Sequence, residues 1–391
     1  MKQDWEIKKL GEVCMVIAGQ SPEGKFYNSE RNGMPFYQGK KEFGEKYIGE
    51  PTTWTTKITK EAETGDILMS VRAPVGPVNF ATQTICIGRG LAAIRTRKNI
   101  DKEYLFNFLL QHENKIEGNT GAVFNSINKT QIESIKIPLP PLSEQQRIVS
   151  ILDEAFAAIA KAKANAEQNL RNAKELFESV IQLTMDNGKL KIEDGWEEKK
   201  LGEVCDLSAG GDVPKDNFSE TKTEKHPIPI FANGEKNNGF YGYTSIAKVL
   251  KPSVTVSARG TIGYSVKRLE PFFPIVRLVV VTPKDLSKID LDFLSYVIKS
   301  MKFKHSGSSI PQLTVPMIKD YVVPLPVLKE QQTIVRQLDA LRAETQKLEA
   351  VYQKKIDDLE ELKKSILDKA FSGTLETSRD AVVRVARVPR N

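Results

Sequence analysis

The sequence predicts an α+β fold: two similar globular modules separated by two long antiparallel coiled-coil helices, with an internal pseudo-twofold repeat. Three observations predict it. Segments from both ends of one module recur 186 to 191 residues later. Two stretches, from Glu144 to Asp186 and from Glu330 to Ser372, contain neither proline nor glycine. Short β-type runs, Asp66–Val71 and Pro252–Ser257, lie inside the modules.

The first module opens with Trp5-Glu6-Ile7-Lys8-Lys9-Leu10-Gly11-Glu12-Val13-Cys14, which returns as Trp196-Glu197-Glu198-Lys199-Lys200-Leu201-Gly202-Glu203-Val204-Cys205. It closes with Pro138-Leu139-Pro140-Pro141-Leu142-Ser143-Glu144-Gln145-Gln146-Arg147-Ile148-Val149, echoed by Pro324-Leu325-Pro326-Val327-Leu328-Lys329-Glu330-Gln331-Gln332-Thr333-Ile334-Val335. Between them, Ser70-Val71-Arg72-Ala73-Pro74-Val75-Gly76 is answered by Ser257-Ala258-Arg259-Gly260-Thr261-Ile262-Gly263, and Gly121 by Gly307. The frames match while the interiors diverge. That pattern suits two copies of one device performing different versions of one job. The segments are residues 1–143, a helix over 144–187, residues 188–329, a helix over 330–373, and a flexible basic tail over 374–391.

Both proline- and glycine-free stretches are rich in Ala, Leu, Glu, Lys and Gln, strong helix formers. Ser143 is the expected N-cap of the first, with Gln146 at N3, and Asn187-Gly188 and Gly373 are the expected stops. Each helix would span roughly 60 Å. Apolar seams run through Ile148, Leu152, Ala155, Ile159, Ala162, Ala166, Leu170, Ala173, Phe177 and Val180, and through Ile334, Leu338, Leu341, Thr345, Leu348, Tyr352, Ile356, Leu359, Lys363 and Ile366. Both follow the same 4-3-4-3-4-4-3-4-3 spacing, which predicts that the helices pack on each other. A coiled coil between separate chains would show the same periodicity.

Net charge is +7. Residues 1–143 carry 19 Lys/Arg against 16 Asp/Glu, and residues 196–329 carry 19 against 14, so the surplus sits on the modules. Such a surplus suits a polyanionic partner. Three cysteines and three histidines, none at zinc-finger spacing, argue against disulfides and a structural metal. No apolar run reaches the ~20 residues of a membrane span, no leader is evident, and the expected location is the cytoplasm. No Asn/Asp-Pro-Pro-aromatic methyltransferase loop, no phosphate loop and no specific nuclease cluster is found.

The repeated Pro-Leu-Pro-Pro-Leu-Ser-Glu-Gln-Gln-Arg-Ile-Val motif continues into Leu152-Asp153, and its second copy into Leu338-Asp339. Together with the repeated Trp-Glu-x-Lys-Lys-Leu-Gly-Glu-Val openings and the closing Leu362–Gly373 segment, these resemble the DNA-specificity subunit of type I restriction–modification systems. The resemblance covers essentially the whole chain. It implies two target-recognition domains, each reading half of a split, asymmetric double-stranded DNA site, and helices that set the gap. It implies docking of two methyltransferase subunits and a motor–nuclease restriction subunit on the repeated regions, here Pro138, Pro140, Glu144, Gln145, Gln146, Pro324, Pro326, Glu330, Gln331 and Gln332. The chain itself would then be non-catalytic and hold no cofactor, S-adenosylmethionine, ATP and Mg²⁺ belonging to the partners. The competing reading is a coiled-coil scaffold or adaptor that reads no DNA.

Base edges are read by bidentate Arg, Lys, Asn and Gln, while phosphates are held by Lys, Ser and backbone amides. The loop residues of those types are Gln20, Ser21, Gln38, Lys40, Lys41, Arg72, Arg89, Asn125 and Lys129 in the first module. In the second the counterparts are Asp212, Lys215, Asn233, Lys236, Asn237, Arg259, Ser308, Ser309 and Gln312. Arg72 and Arg259 occupy matched positions and could equally brace the fold.

Overall fold

Each repeated Leu-Gly-Glu-Val segment forms one short helical turn, Leu10–Val13 and Leu201–Val204, and joins two strands. The strand before it pairs antiparallel with the strand that leads into the long helix. Glu6 lies opposite Leu139 in the first copy and Glu197 opposite Leu325 in the second. The strand after it enters a four-stranded antiparallel sheet. Its spatial order is Cys14–Ala18, Leu91–Thr96, Ile67–Ser70, Val78–Phe80 in the first copy, and Cys205–Ala209, Val279–Pro283, Ser253–Val256, Ser265–Arg268 in the second. The duplication is thus one topology drawn twice.

The computed structural model describes residues 5–113, 126–186, 196–303 and 312–375. They divide into two compact units, one formed by the chain up to Glu167 and from Gln353 onward, the other by Gln168–Tyr352. Each unit contains one module, the near part of one long helix and the far part of the other.

The long helices run Leu142–Asp186 and Leu328–Ser372, 45 residues each. They begin ahead of the expected Ser143 cap. The carbonyls of Pro141 and Val327 accept the first amides, those of Glu144 and Gln145 and of Glu330 and Gln331. Ser143 is therefore an exposed first-turn residue. At the far end Gly373 takes the left-handed φ of +74° expected of a helix stop, with Thr374 N donating to Lys369 O. The expected stop at Asn187-Gly188 lies outside the described residues.

In the first unit Ile148, Ile151, Leu152, Ala155 and Ile159 share a core with Leu359, Ile366, Leu367, Ala370 and Phe371. Lys163 pairs with Glu360, and the Lys363 ammonium lies 5.2 Å from the Phe156 ring centroid, so these segments run antiparallel. Phe371 docks on the module helix Lys102–His112, with ring centroids 5.2 Å from Tyr104 and 5.5 Å from Phe108. In the second unit Phe177, Ile181 and Met185 share a core with Val335 and Leu338 and with the module helix Leu291–Ser300. Leu348, placed in the seam by its spacing, is 39% exposed, while Thr345 one turn earlier is buried and donates its hydroxyl to Arg342 O.

The joint between module and helix is the same in both units. Gln145 and Gln331 are fully buried. Gln145 Nε2 donates to Pro140 O and Asn99 O, and its Oε1 accepts from Asp101 N. Gln331 Nε2 donates to Pro326 O and Lys288 O, and its Oε1 accepts from Asp290 N. Asp101 and Asp290 in turn cap the module helices, each accepting two backbone amides. Truncating either glutamine strands a buried proline carbonyl and removes its bonds to two part-buried backbone groups. Gln145→Ala and Gln331→Ala should each destabilise the chain by about 3 kcal/mol in urea unfolding. The exposed neighbours Gln146→Ala and Gln332→Ala should cost within about 0.5 kcal/mol, and equal costs at all four positions would contradict the assignment.

Candidate nucleic-acid interface

Glycines let three loops of the first module close on one another. A Cβ on Gly19 would meet Gly88 O at 2.2 Å, and one on Gly90 would meet Gln38 O at 2.3 Å. The backbone bonds are Gly19 N to Leu91 O (3.0 Å), Gln20 N to Ile87 O (3.0 Å), Gly90 N to Gln38 O (3.0 Å) and Val71 N to Gly90 O (3.0 Å). Ser21 Oγ accepts from Arg89 N at 3.1 Å. Five predicted residues, Gln20, Ser21, Gln38, Arg72 and Arg89, thus belong to one loop cluster, and all but the half-buried Ser21 are exposed. Lys40 and Lys41 follow in the adjoining 3₁₀ turn, also exposed. Lys129 stands apart on the helix Lys129–Ser134, paired with Glu133 at 3.5 Å. Asn125 lies outside the described residues.

The second module builds the equivalent cluster with other side chains. Gly210 N bonds Leu278 O (2.8 Å), Arg277 N bonds Gly210 O (3.0 Å) and Val276 N bonds Gly211 O (2.8 Å). Where the first module has Gly88-Arg89-Gly90, the second has Ile275-Val276-Arg277, with Val276 and Arg277 held at φ +52° and +60°. Both are exposed. A β-branched residue and an arginine in the left-handed region are strained and persist only where their surroundings enforce them. The sequence reading missed Arg277, since repeat spacing aligns Arg89 with Val276 and nothing in Val-Arg announces a positive φ.

One predicted residue of this module is an internal tie. Asn233 Nδ2 donates to Val276 O (2.6 Å) and its Oδ1 accepts from Ala258 N (2.7 Å), so the amide holds the cluster together from a half-buried position. Arg259 Nη2 donates to Gln312 Oε1 (2.9 Å), bringing together two predicted residues far apart in sequence. Its counterpart Arg72 makes an isolated backbone bridge with Ser126. Lys236 and Asn237 are exposed on the adjoining turn, with Asn237 at φ +49°. Asp212 and Lys215 are exposed on the loop that continues from Gly211, where they line a cleft with Ile246. Ser308 and Ser309 lie outside the described residues.

Of the expected partner-docking residues, Gln145, Gln331, Pro140 and Pro326 are buried and cannot form a docking surface. The glutamines and the proline carbonyls bond each other inside the joint. Glu330 accepts from the Trp196 indole (2.9 Å), and Glu144 forks with Arg147 (2.7 and 2.9 Å). Pro138 O accepts from the Tyr104 hydroxyl, and Pro324 pairs with Glu198 in the two-stranded sheet. Gln146 and Gln332 are exposed.

Burial pushes the thiols of Cys14 and Cys205 up to about 12, which makes them core groups rather than nucleophiles. Among the described residues no group of three His, Cys, Asp or Glu could hold a metal ion. Among the same residues no helix is long and apolar enough to cross a membrane.

Comparison with known proteins places this geometry. A family model described as the type I restriction modification DNA specificity domain matches residues 2–168 and 193–358. A putative type I restriction enzyme MjaX specificity subunit from Methanocaldococcus jannaschii is 43% identical over 194 residues, covering 49% of this chain and 44% of that protein. The match therefore spans less than half of the MjaX subunit. A putative type I specificity subunit, S.MpnORF89P of Mycoplasma pneumoniae, is 34% identical over 304 residues, covering 75% and 85%. A solved chain from work on complex assembly and conformational transition of the type I R–M system superposes with TM-score 0.78 at 20% identity, covering 96% and 99%, and so shares the fold.

The loop cluster depends on the missing Cβ atoms. Gly90→Ala or Gly19→Ala should weaken duplex binding by the whole protein at least about tenfold while leaving far-ultraviolet circular dichroism unchanged. Unchanged binding by both variants would remove this surface from consideration.

Proposed function

Because the chain belongs to the type I restriction–modification DNA specificity family, we propose that it is the sequence-reading, non-catalytic subunit of such a complex. The recognition domains are residues 1–143 and 188–329. Each reads one half of a split, asymmetric duplex target through its loop cluster. The helices of 144–187 and 330–373 set the gap between the half-sites.

The observation that carries this reading is one loop framework, built twice, that presents different side chains. The first copy offers Gln20, Gln38, Lys40, Lys41 and Arg89; the second offers Lys236, Asn237 and Arg277. An identical sheet with unlike loop residues suits two readers of unlike base sequences. Arg89 and Arg277 are the arginines we assign to base edges, and the lysines to phosphates. Arg72 and Arg259, with Asn125, Lys129, Lys215, Ser308, Ser309 and Gln312, complete the proposed DNA-facing set. Asn233 supports it from within.

The catalytic activities lie in other subunits. Two methyltransferase subunits dock near the helix starts, where Gln146 and Gln332 are exposed, and a motor–nuclease subunit joins them. S-adenosylmethionine, ATP and Mg²⁺ are bound by those partners.

Mapping methylated bases across a genome, with and without this subunit, gives the target directly. Exchanging residues 1–143 for the corresponding module of another family member should change one half of that target only; change in both halves would defeat the modular reading. Arg89→Ala should relax one half-site and Arg277→Ala the other, each costing about 1–3 kcal/mol of discrimination in competition binding with the assembled methyltransferase. Uniform weakening across all sequences would demote them to phosphate contacts.

A further inference from the structure

The helix pairs of the two units carry a compensated exchange of side chains. The repeat separation of 186 aligns Phe156 with Arg342, Lys163 with Glu349, Lys174 with Glu360 and Phe177 with Lys363. At all four aligned positions the residue changes kind. The cation–π contact nevertheless survives, with the roles of the aligned positions reversed. In the first unit the ring is on the first helix and the cation on the second, Lys363 over Phe156 at 5.2 Å. In the second unit the ring is again on the first helix and the cation on the second, but the aligned positions have swapped roles, with Arg342 over Phe177 at 4.9 Å. In the first unit Lys163 pairs with Glu360. In the second, Lys174 and Glu349 line one cleft, where Glu349 also lies 3.4 Å from Arg342.

The exchange has a consequence for partner choice. If two copies of the first half of the chain met in the same register, Lys163 would face Lys174 and Phe156 would face Phe177. If two second halves met, Glu349 would face Glu360 and Arg342 would face Lys363. The Lys163–Glu360 pair and both cation–π contacts would be lost, and three of the four facing pairs would be of like charge. A symmetric pairing would suffer each of them twice. Only a first half against a second half satisfies all four positions.

We propose that this charge pattern is a partner code, which makes the second half of this chain the preferred partner of the first half and rejects pairing of like halves. The apolar seam supplies the attraction, because its spacing is the same in both helices and cannot discriminate. The flanking charges supply the choice, as charges beside a coiled-coil seam do. The code operates whatever the modules read, so it stands apart from the functional proposal.

The test starts from the full chain. A protease site placed at Gly188 allows cleavage after folding; the cleaved pair is then unfolded in urea, refolded as a mixture at low salt and weighed by native mass spectrometry. Pairs of like halves should make up less than about one tenth of the refolded species. Lys174→Glu with Glu349→Lys gives up the Arg342–Glu349 contact within the second helix, but it keeps the facing positions 163/360 and 174/349 complementary and makes them self-complementary in each half, and should raise the like-half share at least about fivefold. A like-half share near the statistical value in the parent chain, or no rise in the double variant, would overturn the code. In the uncut chain, Lys163→Glu should lower the urea midpoint and Lys163→Glu with Glu360→Lys should restore it; additive losses would overturn it as well.

Discussion

Everything in each unit is referred to one buried amide. Gln145 and Gln331 sit fully buried at the junction of module and helix. A buried carboxamide is tolerable only if its donors and acceptor are all met. Here they are met by a proline carbonyl of the incoming strand, a loop carbonyl of the module and the amide of the residue that caps the module helix. A single side chain therefore fixes the phase of the long helix against the module. The module helix, so positioned, receives Phe371 in one unit and faces Phe177 in the other.

The loop surface follows from a different economy. The sheet of each module ends in loops that approach closer than a Cβ permits, and in the first module Gly19, Gly88 and Gly90 provide the space. In the second module the corresponding tip has no glycine at Val276 or Arg277 and accepts left-handed backbone instead. Asn233, bonding Val276 O and Ala258 N, is the tie that supports that conformation. Two solutions to one backbone problem leave different side chains pointing outward, which is what divergence of readers on a common frame demands.

The repeat, the seams and the Gly373 stop were legible because they are periodic or depend on backbone freedom that one residue type supplies. The surface roles were less legible. Gln145 and Gln331 stand in a polar run, Glu-Gln-Gln, and read as surface; the helix phase turns the first glutamine inward and the second outward, and only the packed module decides which. Asn233 reads as a donor toward a ligand and proves to be a tie. Arg277 is invisible at the level of spacing because it aligns with Gly90, while Arg89 aligns with Val276. Leu348 fits the seam by number yet is left partly in solvent.

The sequence alone determined that the chain is built twice, that each copy is a mixed α/β module followed by a long helix, and that the positive charge gathers on the modules. These are local or periodic properties, carried by residue type and separation. The tertiary structure decided which polar groups are spent inside the protein and which are offered outside it, and which half of each helix lies against which. A side chain's surroundings are set by segments distant in sequence. The partner of Lys163 is Glu360, and no spacing rule within a single helix could have named it.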